Sequence, residues 1–160
     1  MSKLSFVVAV LIAVVSMPAS AQDTFPPIAD TTVKTECGAC HMVYQPQTLP
    51  RRSWQAIVNG LAQHFGEDAV LTPAKTAEVL AYLVANAGDA GGANNRFLRD
   101  LPAAATPLRI TETPRWVREH RKIQPAIWKR ASVGAKGNCQ ACHQGAATGD
   151  FNEHRVSIPK

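Results

Sequence analysis

Two five-residue strings carry the chemistry of this 160-residue chain: Cys37-Gly38-Ala39-Cys40-His41 and Cys139-Gln140-Ala141-Cys142-His143. Both read C-x-x-C-H, the pattern in which two thiols add to the vinyl groups of one porphyrin and the adjoining imidazole meets the iron from one face. Cys37, Cys40, Cys139 and Cys142 are the only cysteines, so every thiol is used. Two haem c groups are expected, with His41 and His143 as their proximal ligands. Other uses of four cysteines fit less well. Local disulfides would close very small loops, and a four-thiolate zinc site does not usually place about a hundred residues between its pairs. A thioredoxin-like pair needs no histidine behind it.

The group on the far side of each iron separates a carrier from an enzyme. Methionine is removed by counting: Met1 and Met17 lie in the first 21 residues, and Met42 follows His41 too closely to reach the opposite face of the same haem. Three histidines remain. His64 shares a helical face with Trp54, Ile57, Val58, Leu61 and Phe65, and His120 shares a stripe with Trp116, Val117 and Ile123. His64 follows His41 by the same interval of 23 residues that separates His120 from His143. His154 sits in the polar string Phe151-Asn152-Glu153-His154-Arg155 and reads as a surface residue. The expectation is bis-histidine ligation, His41 with His64 at haem 1 and His143 with His120 at haem 2, and reduction potentials below those of His/Met cytochromes.

The chain start sets the compartment. Lys3, an apolar run from Leu4 to Met17, and Ala19-Ser20-Ala21 form an export leader over residues 1–21 with cleavage before Gln22. The run is shorter than the roughly 20 apolar residues that span a bilayer. A periplasmic protein, not inserted in the membrane, is therefore expected. Cleavage removes one cation and leaves 16 basic against 12 acidic side chains. Four haem propionates would cancel much of that surplus, and nucleic acid is not an expected partner.

The elements that must position these residues read as a mostly α chain in two small haem-binding domains, residues 22–95 and 96–160. The divider is the Gly/Asn-rich stretch Gly88-Asp89-Ala90-Gly91-Gly92-Ala93-Asn94-Asn95. In the first domain a helix is expected before Cys37, a second through Trp54–Phe65, and a third from the Thr72-Pro73 cap to a terminal Gly88. Prolines at 102, 107, 114, 125 and 159 limit the second to short helices and loops. Units of this size bury little of their own surface, a deficit that a bonded porphyrin can fill. Trp54, Trp116 and Trp128 are expected to pack on porphyrin edges or in the core, and Arg51-Arg52 to be solvated or paired with propionates.

The segment Arg109–Arg130 holds Arg109, Arg115, Arg118, Arg121, Lys122, Lys129 and Arg130 against Glu112 and Glu119. It reads either as a cationic surface that steers acidic partners or as a set of propionate-binding arginines.

Taken together, CGACH, the string His64-Phe65-Gly66-Glu67-Asp68-Ala69, Trp116-Val117-Arg118-Glu119-His120, and CQACH followed by Gly149-Asp150-Phe151 resemble the bacterial dihaem cytochrome c family called DHC. That resemblance covers most of the mature chain. It implies a two-domain electron carrier whose N-terminal domain is similar to a class I cytochrome c, with bis-histidine haems at His41, His64, His120 and His143. It also implies exchange with a membrane b-type cytochrome and a small oxygen-binding monohaem cytochrome c. The competing readings are a dihaem enzyme or gas-binding cytochrome with one open iron, and a haem-free metal-binding module.

Overall fold

The structure is a computed structural model and describes residues 24–91 and 95–160; residues 1–23, with the expected leader and its cleavage point, and residues 92–94 lie outside the described residues. Five α-helices are joined by short 3-10 turns: α1 Thr31–Cys37, α2 Arg51–Asn59, α3 Pro73–Ala85, α4 Pro114–His120 and α5 Pro125–Trp128. Among the described residues there are no strands, only isolated bridges such as His64–Glu67 and His143–Val156. No helix there is long and apolar enough to cross a membrane.

The first half builds its own core. Asp30 starts α1 by accepting the Val33 amide at 2.7 Å, and Thr72 caps α3 by accepting the Lys75 amide, with Pro73 preset for the first turn. Trp54 and Val58, one helical turn apart on α2, pack with Val79 and Leu83 on α3 and with Val33 on α1. The Trp54 indole N–H donates to the Pro46 carbonyl at 2.8 Å, so this tryptophan belongs to the core.

Two expected boundaries move. α2 stops at Asn59, with Gly60 behind it, and the chain reaches His64 through a 3-10 turn at Leu61–Gln63. Phe65 therefore leaves the apolar face and is 47% exposed. α3 ends at Ala85 with Asn86 as its cap, so Gly88 is not a helix terminator. Its amide donates to the Leu49 carbonyl at 2.9 Å, and a β-carbon there would stand 2.5 Å from the Gln47 carbonyl oxygen and 2.7 Å from Asn95 Nδ2. Close backbone approach, not left-handed φ, requires this glycine.

The second half has little core of its own: past Asn95, Val133 and Ala146 are the buried apolar residues among those described. It is held by caps and ties. Buried Thr113 accepts the Trp116 amide at the start of α4 and donates to the Ile110 carbonyl. Tyr44 Oη donates to the Gly137 carbonyl at 2.9 Å, and Arg52 donates to the carbonyls of Pro102 and Ala105. The Phe25 amide donates to Gly149 O at 2.8 Å, and the Phe25 ring lies 4.5 Å from Phe97 and 5.8 Å from Phe151. Residues 24 and 25 thus lie against the second half.

Candidate haem sites

In the first motif, Cys37 closes α1 and Gly38 caps it. A β-carbon at Gly38 would fall 2.2 Å from the Lys34 carbonyl oxygen, so the residue after the first cysteine must be bare for the chain to turn there. The thiol of Cys37 is raised by burial and then by Glu36 and Asp30. His41 Nδ1 lies 2.7 Å from the Met42 carbonyl oxygen. A carbonyl only accepts, so Nδ1 is the donor in this bond.

His64 is delivered by a tight hairpin. Its amide and carbonyl both pair with Glu67, at 2.8 and 3.1 Å, and the two residues between, Phe65 and Gly66, have φ of 57° and 108°. Gly66 takes that geometry freely; Phe65 takes it at a cost of about 1–2 kcal/mol. Arg109 offsets the cost, its guanidinium 3.9 Å over the Phe65 ring. Burial first, then His41 and Arg109, hold the His64 imidazole below its ordinary value.

In the second motif, Cys139–Ala141 form a 3-10 turn and the His143 amide donates to the Cys139 carbonyl at 2.8 Å. Burial pushes the Cys139 thiol up to about 11. His120 ends α4, where its Nδ1 lies 2.8 Å from the Trp116 carbonyl oxygen. The same Trp116 stacks on the imidazole, centroids 4.3 Å apart and planes 12° apart. Trp116 therefore packs on the histidine ring, a contact that its place one turn earlier on the same stripe makes available. Burial lowers His120 against the opposing Trp116 hydrogen bond, and lowers His143 with help from His120. His154 is exposed in the turn Glu153–Arg155.

The fold brings the four imidazoles together as two pairs. His41 and His64 have ring centroids 6.2 Å apart with planes at 27°; His120 and His143 are also 6.2 Å apart, at 62°. One metal atom between two ring nitrogens needs about 2 Å per bond and about 1.1 Å from nitrogen to ring centre, hence roughly 6.2 Å between centroids. All four cysteines are free thiols, and among the described residues no three His, Cys, Asp or Glu side chains gather as a metal-ion cluster. Unpaired thiols beside imidazoles at this spacing suit a porphyrin iron at each pair.

Sequence reasoning missed the tie between the sites. Tyr44 lies with its ring 4.9 Å from His41 and its hydroxyl on Gly137, two residues before Cys139. Only its position three residues past the first motif hinted at this. Within the cationic segment, Arg109 pairs with Glu112, Arg115 with Glu119, and Arg118 with Asp100 at 2.6 Å.

Two attachment motifs on a strandless helical scaffold, each beside a facing pair of imidazoles, define a c-type cytochrome with two haems. The chain belongs to the dihaem cytochrome c family, whose model matches residues 33–151, and two c-type haems are its cofactors. Among solved structures it is similar to a dihaem cytochrome c from Rhodobacter sphaeroides, at 44% identity and a TM-score of 0.74 over 79% of this chain and all of that one. A dihaem cytochrome c from Shewanella baltica is 35% identical, with a TM-score of 0.66 over 81% of this chain and 92% of that one. The comparison with curated proteins returned no match.

Proposed function

We propose that this dihaem cytochrome is a periplasmic electron carrier with both irons closed by histidine, His41 and His64 at one and His120 and His143 at the other. The observation that carries the reading is the 6.2 Å spacing of both imidazole pairs. Bound haem would supply a one-electron iron couple, and histidine ligands would place it lower than a thioether would. The residues of the chain do the rest. His41 and His120 are oriented through Nδ1 hydrogen bonds to the Met42 and Trp116 carbonyls, which fixes the tautomer that presents Nε2. With those four histidines as ligands neither iron would offer a position to oxygen or peroxide, and the chemistry left would be outer-sphere transfer; Tyr44 links the two sites through its bond to Gly137.

The leader at residues 1–21 supports export, and protein recovered from the periplasm should begin at Gln22. As partners we propose a membrane b-type cytochrome and a small oxygen-binding monohaem cytochrome c, on the strength of the family likeness.

The test is the spectrum of the dithionite-reduced protein before and after carbon monoxide. An unchanged Soret band in the wild type, with His64→Ala and His120→Ala each opening one haem of the two, is the expected result. A shift in the wild type would mean an accessible iron and would favour the enzyme or gas-binding alternative.

A further inference from the structure

We propose that the surface around His120, the outer side of the second haem site, is the docking face for an acidic redox protein. This rests on the electron-carrier reading above and names the end of the molecule through which it exchanges electrons with such a partner.

The argument begins with where the charge lies. From His120 to Gly149 there is no aspartate or glutamate, and there are five cations: Arg121, Lys122, Lys129, Arg130 and Lys136. Residues 22–119 carry nine basic and ten acidic side chains, and residues 150–160 carry two of each. The positive surplus of the chain after residue 21 is therefore confined to the thirty residues that hold both cysteines and both histidines of the second site.

Structure separates the spent cations from the available ones. Arg109, Arg115 and Arg118 face Glu112, Glu119 and Asp100, and Arg130 donates to the Pro159 carbonyl. Arg121, Lys122, Lys129 and Lys136 are exposed, and among the described residues none of them has a carboxylate partner. They lie near one ligand, along the chain or through its ring neighbours. Lys122 follows His120 by two residues, and Lys129 follows Trp128, whose ring is 6.1 Å from His120. Lys136 Nζ lies 5.8 Å from the Trp116 ring that stacks on His120. On α4, Val117 is 52% exposed one turn before Arg121, an apolar spot within a cationic rim.

Cations near the ligand of an electron-accepting haem attract a protein whose own redox centre is ringed by carboxylates, and they act chiefly on encounter rate. The step is one electron leaving the reduced partner while one haem iron goes from ferric to ferrous. Nothing on this face forms a long amphipathic helix, so a protein partner is favoured over an anionic membrane.

The experiment compares the oxidised holoprotein, its Lys122→Glu/Lys129→Glu variant, and a charge-matched Lys34→Glu/Arg99→Glu variant. Each is mixed in stopped flow with fully reduced flavodoxin, an acidic probe, and separately with reduced lumiflavin, a small uncharged one. The expected result is a rate with flavodoxin at least about tenfold lower for Lys122→Glu/Lys129→Glu at low salt, converging with wild type as salt rises, while the control pair changes less than about twofold. Lumiflavin should reduce all three alike. Equal slowing by both pairs, or by neither, overturns the proposal, as does binding to phosphatidylglycerol vesicles that depends on Lys122 and Lys129 while the flavodoxin rate does not. A wild type that lumiflavin fails to reduce would instead sink the electron-carrier reading.

Discussion

Trp116 holds the imidazole of His120 twice, by its carbonyl on Nδ1 at 2.8 Å and by its indole stacked 4.3 Å away and 12° from parallel. Trp116→Leu keeps the carbonyl, the helix and an apolar side chain, and removes the stack together with the indole's contacts to Trp128 and Lys136. Such a contact is worth about 0.5–1.5 kcal/mol. The consequence is orientational, because the ring of His120 stands 62° from that of His143, whereas His41 and His64 are 27° apart. Imidazole planes that nearly coincide split the iron π orbitals of a low-spin ferric haem strongly; steeply crossed planes leave them close together. Electron paramagnetic resonance of the oxidised wild type should therefore show one rhombic signal and one of much larger anisotropy. In Trp116→Leu the second should broaden or move toward the rhombic form and the first should stay. If the lost stack bears on one oxidation state alone, the potential of that haem shifts by up to about 60 mV, since a tenfold change in a one-electron equilibrium is 59 mV. Two rhombic signals in the wild type, or a variant in which both signals change together, would refute the reasoning.

Gly88→Ala should lower the melting temperature by several degrees, because its β-carbon meets the Gln47 carbonyl oxygen at 2.5 Å and relief of such overpacking costs about 1–3 kcal/mol. Tyr44→Phe removes the hydrogen bond to Gly137 and should cost about 1 kcal/mol in denaturant titration, with both haem spectra unchanged. Arg109→Gln takes the guanidinium off Phe65 and should speed binding of added imidazole at one haem of the two, since the strained hairpin that presents His64 is then less firmly held. His154→Ala should leave every spectrum as it was, because that ring is exposed; loss of a low-spin signal would give it a ligand role.

What could be read from the residues is what acts over short distances. The two attachment motifs are local covalent chemistry, and α1, α3 and α4 follow from caps and prolines at their first positions. The apolar stripe put His120 and Trp116 on one face, and the helix keeps them there. The same period misled beyond Gly60, where it extended α2 through Phe65: the helix ends at Asn59, and a hairpin with positive φ at Phe65 and Gly66 turns His64 toward His41. Local bonds close that hairpin, His64 with Glu67 and the Ala69 amide on the Leu61 carbonyl, but the contact that holds the Phe65 ring, Arg109 above it, is distant in sequence and lies outside any window of residues 60–70. Gly88 failed likewise, since what excludes a side chain there is the Gln47 carbonyl some forty residues earlier.

The two sites are built by opposite means, and this bears on how they differ as electron sites. His41 and His64 sit on a half with its own core, on an exposed motif and a hairpin at its edge. His120 and His143 sit in a half with two buried apolar residues among those described, yet their rings are the more enclosed, by Trp116, Trp128 and Phe151. A ferric centre is better stabilised where water reaches it, so enclosure alone would raise the potential of the second haem relative to the first. The exposed cations of residues 121–136 act in the same direction, against the carboxylates of Glu119 and Asp150 beside His120 and His143, because nearby positive charge favours the reduced, less positive iron. On these grounds the second haem is expected to have the higher potential, which a spectroscopic redox titration that resolves the two haems would check. The second haem is at the end of the molecule where Lys122, Lys129 and Lys136 stand ready for an acidic donor.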